Sequence, residues 1–197
     1  MADNKKTNSF FAVFFRQKYI NRWGLMRNVT NENLSTHAAE VSCIAHALAV
    51  IGNTYFGKNY NADRVATLAL YHDMPEVFTG DLPTPVKYAN DALRQCYAKL
   101  EQKAVEQLTD RLPEDLQSQY KALLEITPED EQLKKLVKGA DKLCALLKCI
   151  EEEKSGNSDF SSARASTEQS IKAMSFEELD YFMEHFLPAF EGTLDEI

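Results

Sequence analysis

Three features of the 197-residue sequence predict an all-α fold. Apolar residues recur at a 3.6-residue period through several long segments, and no period-2 alternation persists anywhere. Only 7 Gly and 6 Pro are present, too few for a β fold with many tight turns. The length suits one domain able to bury roughly two-thirds of the surface its unfolded chain exposes. The whole chain, 1–197, is therefore expected to be a single compact unit, with a core over about 33–154 and C-terminal helices over about 158–190.

The elements follow in order. A first helix is expected over about 9–19, then an irregular Asn-rich segment, "NRWGLMRNVTNEN", carrying Arg22, Trp23 and Arg27. Ser35 reads as the N-cap of a helix whose apolar positions are Val41, Ile44, Ala45, Leu48 and Ile51, with Gly52 and Asn53 marking its end. Asn61 caps the next helix, which runs through Val65, Leu68 and Ala69 to Asp73. Pro75 either kinks the chain or starts a new short helix, and "GDLPTP" reads as a loop. A long helix over about 90–111 carries Leu93, Tyr97, Leu100, Ala104 and Leu108. Pro113 and Pro128 read as first residues of two further helices. The latter reaches about 154 with Leu133, Leu136, Val137, Ala140, Cys144, Leu147 and Ile150 as its stripe. Beyond "EEEKSGNSD", helices are expected over about 159–173 and 176–190, the last with a core face of Tyr181, Phe182, Phe186 and Phe190.

The net charge of -8 disfavours a nucleic acid polymer, whose phosphates want a basic face. It leaves room for a small anionic substrate, because a metal ion can reverse the local field. No apolar run approaches the roughly 20 residues that cross a bilayer, so no membrane association is expected. The apolar N-terminal patch is interrupted by Arg16 and lacks a small-residue cleavage site, which points to a core helix of a cytoplasmic protein. Cys43, Cys96, Cys144 and Cys149 form no C-x-x-C pair and are expected to be buried, reduced thiols.

One apolar face ends in polar residues. His72 and Asp73 stand where the period of Val65, Leu68 and Ala69 calls for apolar side chains, and Glu76 lies about one turn further on. A partly buried carboxylate without a partner costs several kcal/mol, so a positive group must meet Asp73. A divalent cation would do so, and would also accept the neutral imidazole of His72. His37, in the first turn of its helix, can project toward such a site, whereas His46 reads as a core residue and His185 is given no role. Asp141 borders an apolar stripe, and read by itself it is better taken as half of a structural ion pair with a lysine. Gly139 beside it permits close helix approach.

His37, then His72-Asp73, then Asp141 resemble the H…HD…D pattern of the HD-domain phosphohydrolases. "NRWGLMRN", "HDMPEVFTGDLPTPVK", "VKGADKLCALLKCIEE" and "DYFMEHFLPAFEGTLDEI" narrow the resemblance to the bacterial HD-domain 5′-deoxynucleotidases of the YfbR type, from about residue 9 to the end. The resemblance implies a helical HD fold around one divalent transition metal (Co²⁺, Mn²⁺ or Cu²⁺) held by His37, His72, Asp73 and Asp141. It implies hydrolysis of deoxyribonucleoside 5′-monophosphates to deoxyribonucleoside and phosphate by a metal-activated water, in a homodimer. Glu76 matches a catalytic, proton-transferring glutamate. Arg22 matches a phosphate-binding and catalytic arginine, and Trp23 a residue that leaves no room for a 2′-hydroxyl. Asp81, Leu82, Pro83 and Thr84 match a substrate-binding loop in which Asp81 also takes part in catalysis, and His37, Asp73 and Asp141 border the substrate.

Met74 and Pro75 depart from the small or polar residues usual after the HD pair, and Thr36 and Ala38 replace the usual Glu and Ser beside His37. Two other readings compete. The chain could hydrolyse another nucleotide, a triphosphate or signalling nucleotide, which would want more phosphate-binding cations than Arg22, Lys87 and Arg27 offer. It could also be an inert HD scaffold, against which the full set of ligand residues argues.

Overall fold

The computed structural model describes residues 8–196 apart from 88 and 126, and the side chains of Thr84 and Leu194 lie outside that description. Among the described residues there are eleven α-helices and no strand, only an antiparallel bridge between Asn21 and Asn33. They are α1 (Phe10–Phe14), α2 (Leu34–Tyr55), α3 (Ala62–Tyr71), α4 (Glu76–Thr79), α5 (Thr84–Lys87) and α6 (Asp91–Thr109). Then follow α7 (Glu114–Leu124), α8 (Glu131–Lys154), α9 (Ser161–Met174), α10 (Glu177–His185) and α11 (Leu187–Glu191).

The core is where α2, α3 and α8 meet. Val41, Ala45 and Leu48 of α2, Val65 and Leu68 of α3, and Leu136, Ala140 and Leu143 of α8 are buried in one cluster. Ile171, Leu179 and Phe182 of α9 and α10 belong to the same cluster, so the C-terminal helices share the core of the rest. Burying each such side chain stabilises the fold by about 1.5–3 kcal/mol. Gly139 makes the α8–α10 approach possible, since a Cβ there would lie 2.6 Å from the Phe176 ring. A smaller cluster of Phe10, Met74, Leu108 and Leu112 closes the other side of the molecule. Met74 is therefore a core plug, which accounts for an apolar residue directly after the HD pair.

Several boundaries differ from the sequence expectation. The first helix tightens into a 3-10 helix over Phe15–Tyr19. The N-cap of α2 is Asn33, whose side chain accepts from Thr36 N at 3.1 Å, not Ser35. Gly52 lies inside α2 as a packing position against Tyr60 and Glu178, so the helix runs on to Tyr55. Asn61 does cap α3, but the helix stops at Tyr71. Pro75 precedes the short helix α4, and "TPVK" forms α5 where a loop was expected.

Faces differ too. His46 is 47% exposed, Cys43 and Cys96 are exposed while Cys144 and Cys149 are buried, and all four thiols are free. Leu93, Leu100, Phe186 and Phe190 are exposed instead of core, because α6 and the last helices are covered on one side only. α2 reaches the length and apolar composition of a membrane-crossing helix, contrary to expectation, and spends that apolar face on the core.

Candidate functional site

The site forms where α3 ends. Pro75 has no N–H to continue the helical ladder, and Met74 N and Glu76 N donate to Tyr71 O and Asp73 O in tight turns. His72 and Asp73 thus sit on a helix terminus, pointing toward the first turn of α2 and the middle of α8. His37 projects from α2 fully buried, and Asp141 from α8 partly exposed.

Four groups converge. His37 Nε2 lies 3.1 Å from Asp141 Oδ1 and 3.6 Å from Asp73 Oδ2, and His72 Nε2 lies 3.2 Å from Asp73 Oδ2. Ligand atoms of His37, His72 and Asp141 all fall within 4.8 Å of one another. His72 Nδ1 is 2.6 Å from Ala69 O, so that nitrogen carries a hydrogen and donates it. Nε2 is then left facing carboxylates, buried and without an aligned hydrogen bond among the described residues. A nitrogen lone pair aimed at two carboxylates is repulsive unless a positive charge lies between them. Burial lowers the His72 pKa, but the Asp73 charge outweighs it and pushes the imidazole up to about 9. Burial likewise raises Asp141, yet the hydrogen bond and charge of His37 hold it far below the carboxylate range. The cluster of His37, His72 and Asp141, with Asp73 beside it, could hold a divalent metal ion.

Arg22 is the cation the protein itself supplies. Its Nη1 lies 3.3 Å from Asp73 Oδ2, and its Nη2 is 4.0 Å from Asp141 Oδ1. Glu76 is buried in α4, and its Oε2 has no partner among the described residues. Burial first, then the charges of Asp73 and Asp81, push its carboxyl up to about 9. Asp81 is raised by burial and lowered in part by Arg22 and by the backbone N–H of Trp23, which brings the "DLPT" loop to the same site. Leu82 and Pro83 are half-buried there, and the side chain of Thr84 lies outside the described residues. A cavity of about 340 Å³, lined by His72, Asp73 and Glu76 on one side and by Glu101, Gln102 and Leu124 on the other, opens beside them.

One residue of this cluster has no counterpart in the sequence reading. Glu32 is buried; its Oε2 accepts from Trp23 Nε1 at 2.6 Å, and its Oε1 lies 3.0 Å from both Arg22 Nε and His37 Nδ1. It sits in the Asn-rich segment, where no period marks a face. The bridge Asn21–Asn33, with Arg22 N donating to Glu32 O, folds that segment back so that Arg22, Trp23 and Glu32 meet. Trp23 itself has φ +59°, the left-handed region that a bulky side chain rarely occupies.

Comparison with known proteins follows the same lines. Residues 9–190 match the family model described as 5′-deoxynucleotidase YfbR-like. The chain is 50% identical over 192 residues to the 5′-deoxynucleotidase YfbR of Escherichia coli O1:K1 / APEC, covering 98% of this chain and 96% of that one. An HD-domain phosphohydrolase from Listeria innocua superposes with a TM-score of 0.75 at 24% identity, over 92% of this chain and 88% of that one. The cyanophage S-2L HD phosphohydrolase DatZ, bound to dA and one catalytic Zn²⁺ ion, is similar with a TM-score of 0.65 at 18% identity, over 92% and 96%. At these identities the two structures show a shared HD fold.

Proposed function

The chain belongs to the YfbR-like 5′-deoxynucleotidase family, and from that premise we propose that the cluster around His72 and Asp73 is the active site of a metal-dependent 5′-deoxynucleotidase. It hydrolyses deoxyribonucleoside 5′-monophosphates to the deoxyribonucleoside and phosphate. The observation that carries the site is the buried His72 Nε2, unpartnered among carboxylates and beside Arg22.

Held by His37, His72, Asp73 and Asp141, a divalent metal ion (Co²⁺, Mn²⁺ or Cu²⁺ by donor type) supplies Lewis acidity that activates water and offsets phosphoryl charge. Arg22 presents a planar fork beside that position, suited to two phosphate oxygens at once. Its ties to Glu32 and Asp73 keep the fork oriented before substrate arrives. Glu76 is a buried carboxyl raised by burial and by the charges of Asp73 and Asp81, which suits it to move a proton to or from the attacking water or the leaving 5′-oxygen. Trp23 and the Asp81, Leu82, Pro83 and Thr84 loop border the sugar, Trp23 excluding a 2′-hydroxyl and Asp81 holding the sugar or the water.

A monophosphate is favoured over a triphosphate by the supply of cations. Lys87 is committed to Glu101 at 2.9 Å, and Arg27 is mostly exposed with Asp159 as its neighbour. Arg22 alone then meets the phosphate. A homodimer is supported by Phe15, Tyr19 and Leu25, which leave apolar surface on the N-terminal segment uncovered. A cytoplasmic enzyme is supported by α2, whose apolar face is taken up by the core.

A phosphate-release panel tests the reading. With Co²⁺ or Mn²⁺ the protein is expected to release phosphate from dAMP and dTMP and much less from AMP. Equal rates on dAMP and AMP would remove the role given to Trp23, and no release from any monophosphate would remove the site.

A further inference from the structure

We propose that Glu32 is a positioning residue whose two carboxylate oxygens separately set the metal-facing orientation of His37 and the pose of Trp23. The inference rests on the reading of His37 as a metal ligand and Trp23 as a sugar contact. Three N–H groups converge on this buried carboxylate: Trp23 Nε1 on Oε2, and Arg22 Nε and His37 Nδ1 on Oε1. Arg22 Nε and His37 Nδ1 are both buried and neither makes an aligned hydrogen bond among the described residues, so Glu32 Oε1 at 3.0 Å is the acceptor within reach of each. His37 Nε2 lies in hydrogen-bond contact with Asp141 Oδ1 at 3.1 Å; with a hydrogen kept on Nδ1 toward Glu32, Nε2 would be free to offer its lone pair to a metal between Asp73 and Asp141.

The Trp23 side is a different demand. A tryptophan at φ +59° persists only when its surroundings over-determine it. Here the indole packs against Phe160 with ring centres 5.3 Å apart at a tilt of 56°, and its Nε1–H donates to Glu32. The carboxylate is itself held in place. Glu152 accepts from Val29 N and Thr30 N behind it, and Arg22 N and Leu34 N close the segment by donating to Glu32 O and Ile20 O.

Both oxygens of Glu32 must accept, and only a carboxylate has two acceptors. Glutamine offers one, and its NH₂ must then oppose either the indole N–H or the Arg22 and His37 N–H groups. Removing the indole N–H removes that conflict, because the amide can turn its NH₂ to the vacated side. This makes a rescue specific to the proposed arrangement.

The test uses the full-length protein and two readouts that do not require turnover. Titration calorimetry with Co²⁺ reports His37, and intrinsic fluorescence reports Trp23 directly, since it is the chain's sole tryptophan. Glu32→Gln is expected to weaken Co²⁺ binding about 10–100-fold and to shift Trp23 emission. Trp23→Phe is expected to keep Co²⁺ affinity within about 3-fold, and the Glu32→Gln/Trp23→Phe double variant to regain most of what Glu32→Gln lost. A folded Glu32→Gln protein with unchanged affinity and unchanged emission overturns the proposal. Loss of affinity with no recovery in the double variant overturns the two-acceptor arrangement. A wild-type protein that binds no Co²⁺ overturns the metal reading and with it the His37 half, while Trp23 emission in Glu32→Gln still decides the other half.

Discussion

Asp141 and Glu152 project from the same face of α8, about three turns apart, and their surroundings differ in kind. Glu152 is wholly buried and saturated. It accepts from Val29 N, Thr30 N and Asn157 Nδ2 and pairs with Lys148, which also reaches Thr30 O. Burial raises its pKa, but those donors, Lys148 foremost, bring the carboxyl down to about 2. Around Asp141 the opposite holds, with His72 Nε2 and Glu76 Oε2 buried and unpartnered. Buried polar groups in a structural network are satisfied by the protein, and those in a working site are left for something else to satisfy. The middle of α8 and its C-terminal end therefore answer to different experiments.

The largest effect is expected at the unsatisfied site. Replacing Asp73 or Asp141 by Ala should lower turnover of dAMP at least about 10³-fold and abolish tight metal retention, since the Lewis-acid contribution is worth several kcal/mol. Metal analysis and phosphate release check this, and a fully active Asp73→Ala protein would break the contrast outright. At the satisfied site, Glu152→Ala should act on stability. Stranding Lys148 in the interior should cost about 3–5 kcal/mol in urea unfolding, with the metal ligands untouched. Loss of metal without loss of stability in that variant would erase the distinction between the two networks.

The smallest effect sharpens the comparison through pH. Glu76 has its folded pKa raised to about 9, above the 4.5 of an ordinary glutamate. A raised carboxyl contributes stability fully below its unfolded pKa, and that contribution is lost as pH rises through the folded pKa. In metal-free protein, Glu76→Gln should match wild type near pH 4 and melt higher by on the order of 5 °C near pH 8. Thermal melts across that range check it. A constant difference at all pH values would mean that Glu76 is not buried beside the charge of Asp73.

Much of the molecule was legible as periodicity. Val41, Ala45, Leu48, Val65, Leu68, Leu136 and Ala140 were assigned to a core from spacing alone and lie in one cluster. Spacing failed where it had to choose which side of a helix is covered. His46 and Cys43 share α2 with buried neighbours yet face out, and Phe186 and Phe190 follow an aromatic period yet stay 46% and 43% exposed. A helical period reports that a stripe exists and cannot report whether another element reaches it.

The site divides the same way. His37, His72, Asp73, Asp141, Glu76 and the Arg22-Trp23 pair could be named from residue type and from resemblance, because each stands out locally or within a matched motif. Glu32 could not, since an acid in an irregular Asn-rich segment carries no local mark. It becomes significant only because the Asn21–Asn33 bridge brings it beside Arg22, Trp23 and His37. What the sequence determined by itself was local: helix-forming stretches, their apolar stripes, and the residue types able to bind a metal. What tertiary structure decided was which polar groups are left without partners. Whether a buried donor or acceptor is satisfied depends on atoms brought from distant parts of the chain, which no local pattern encodes.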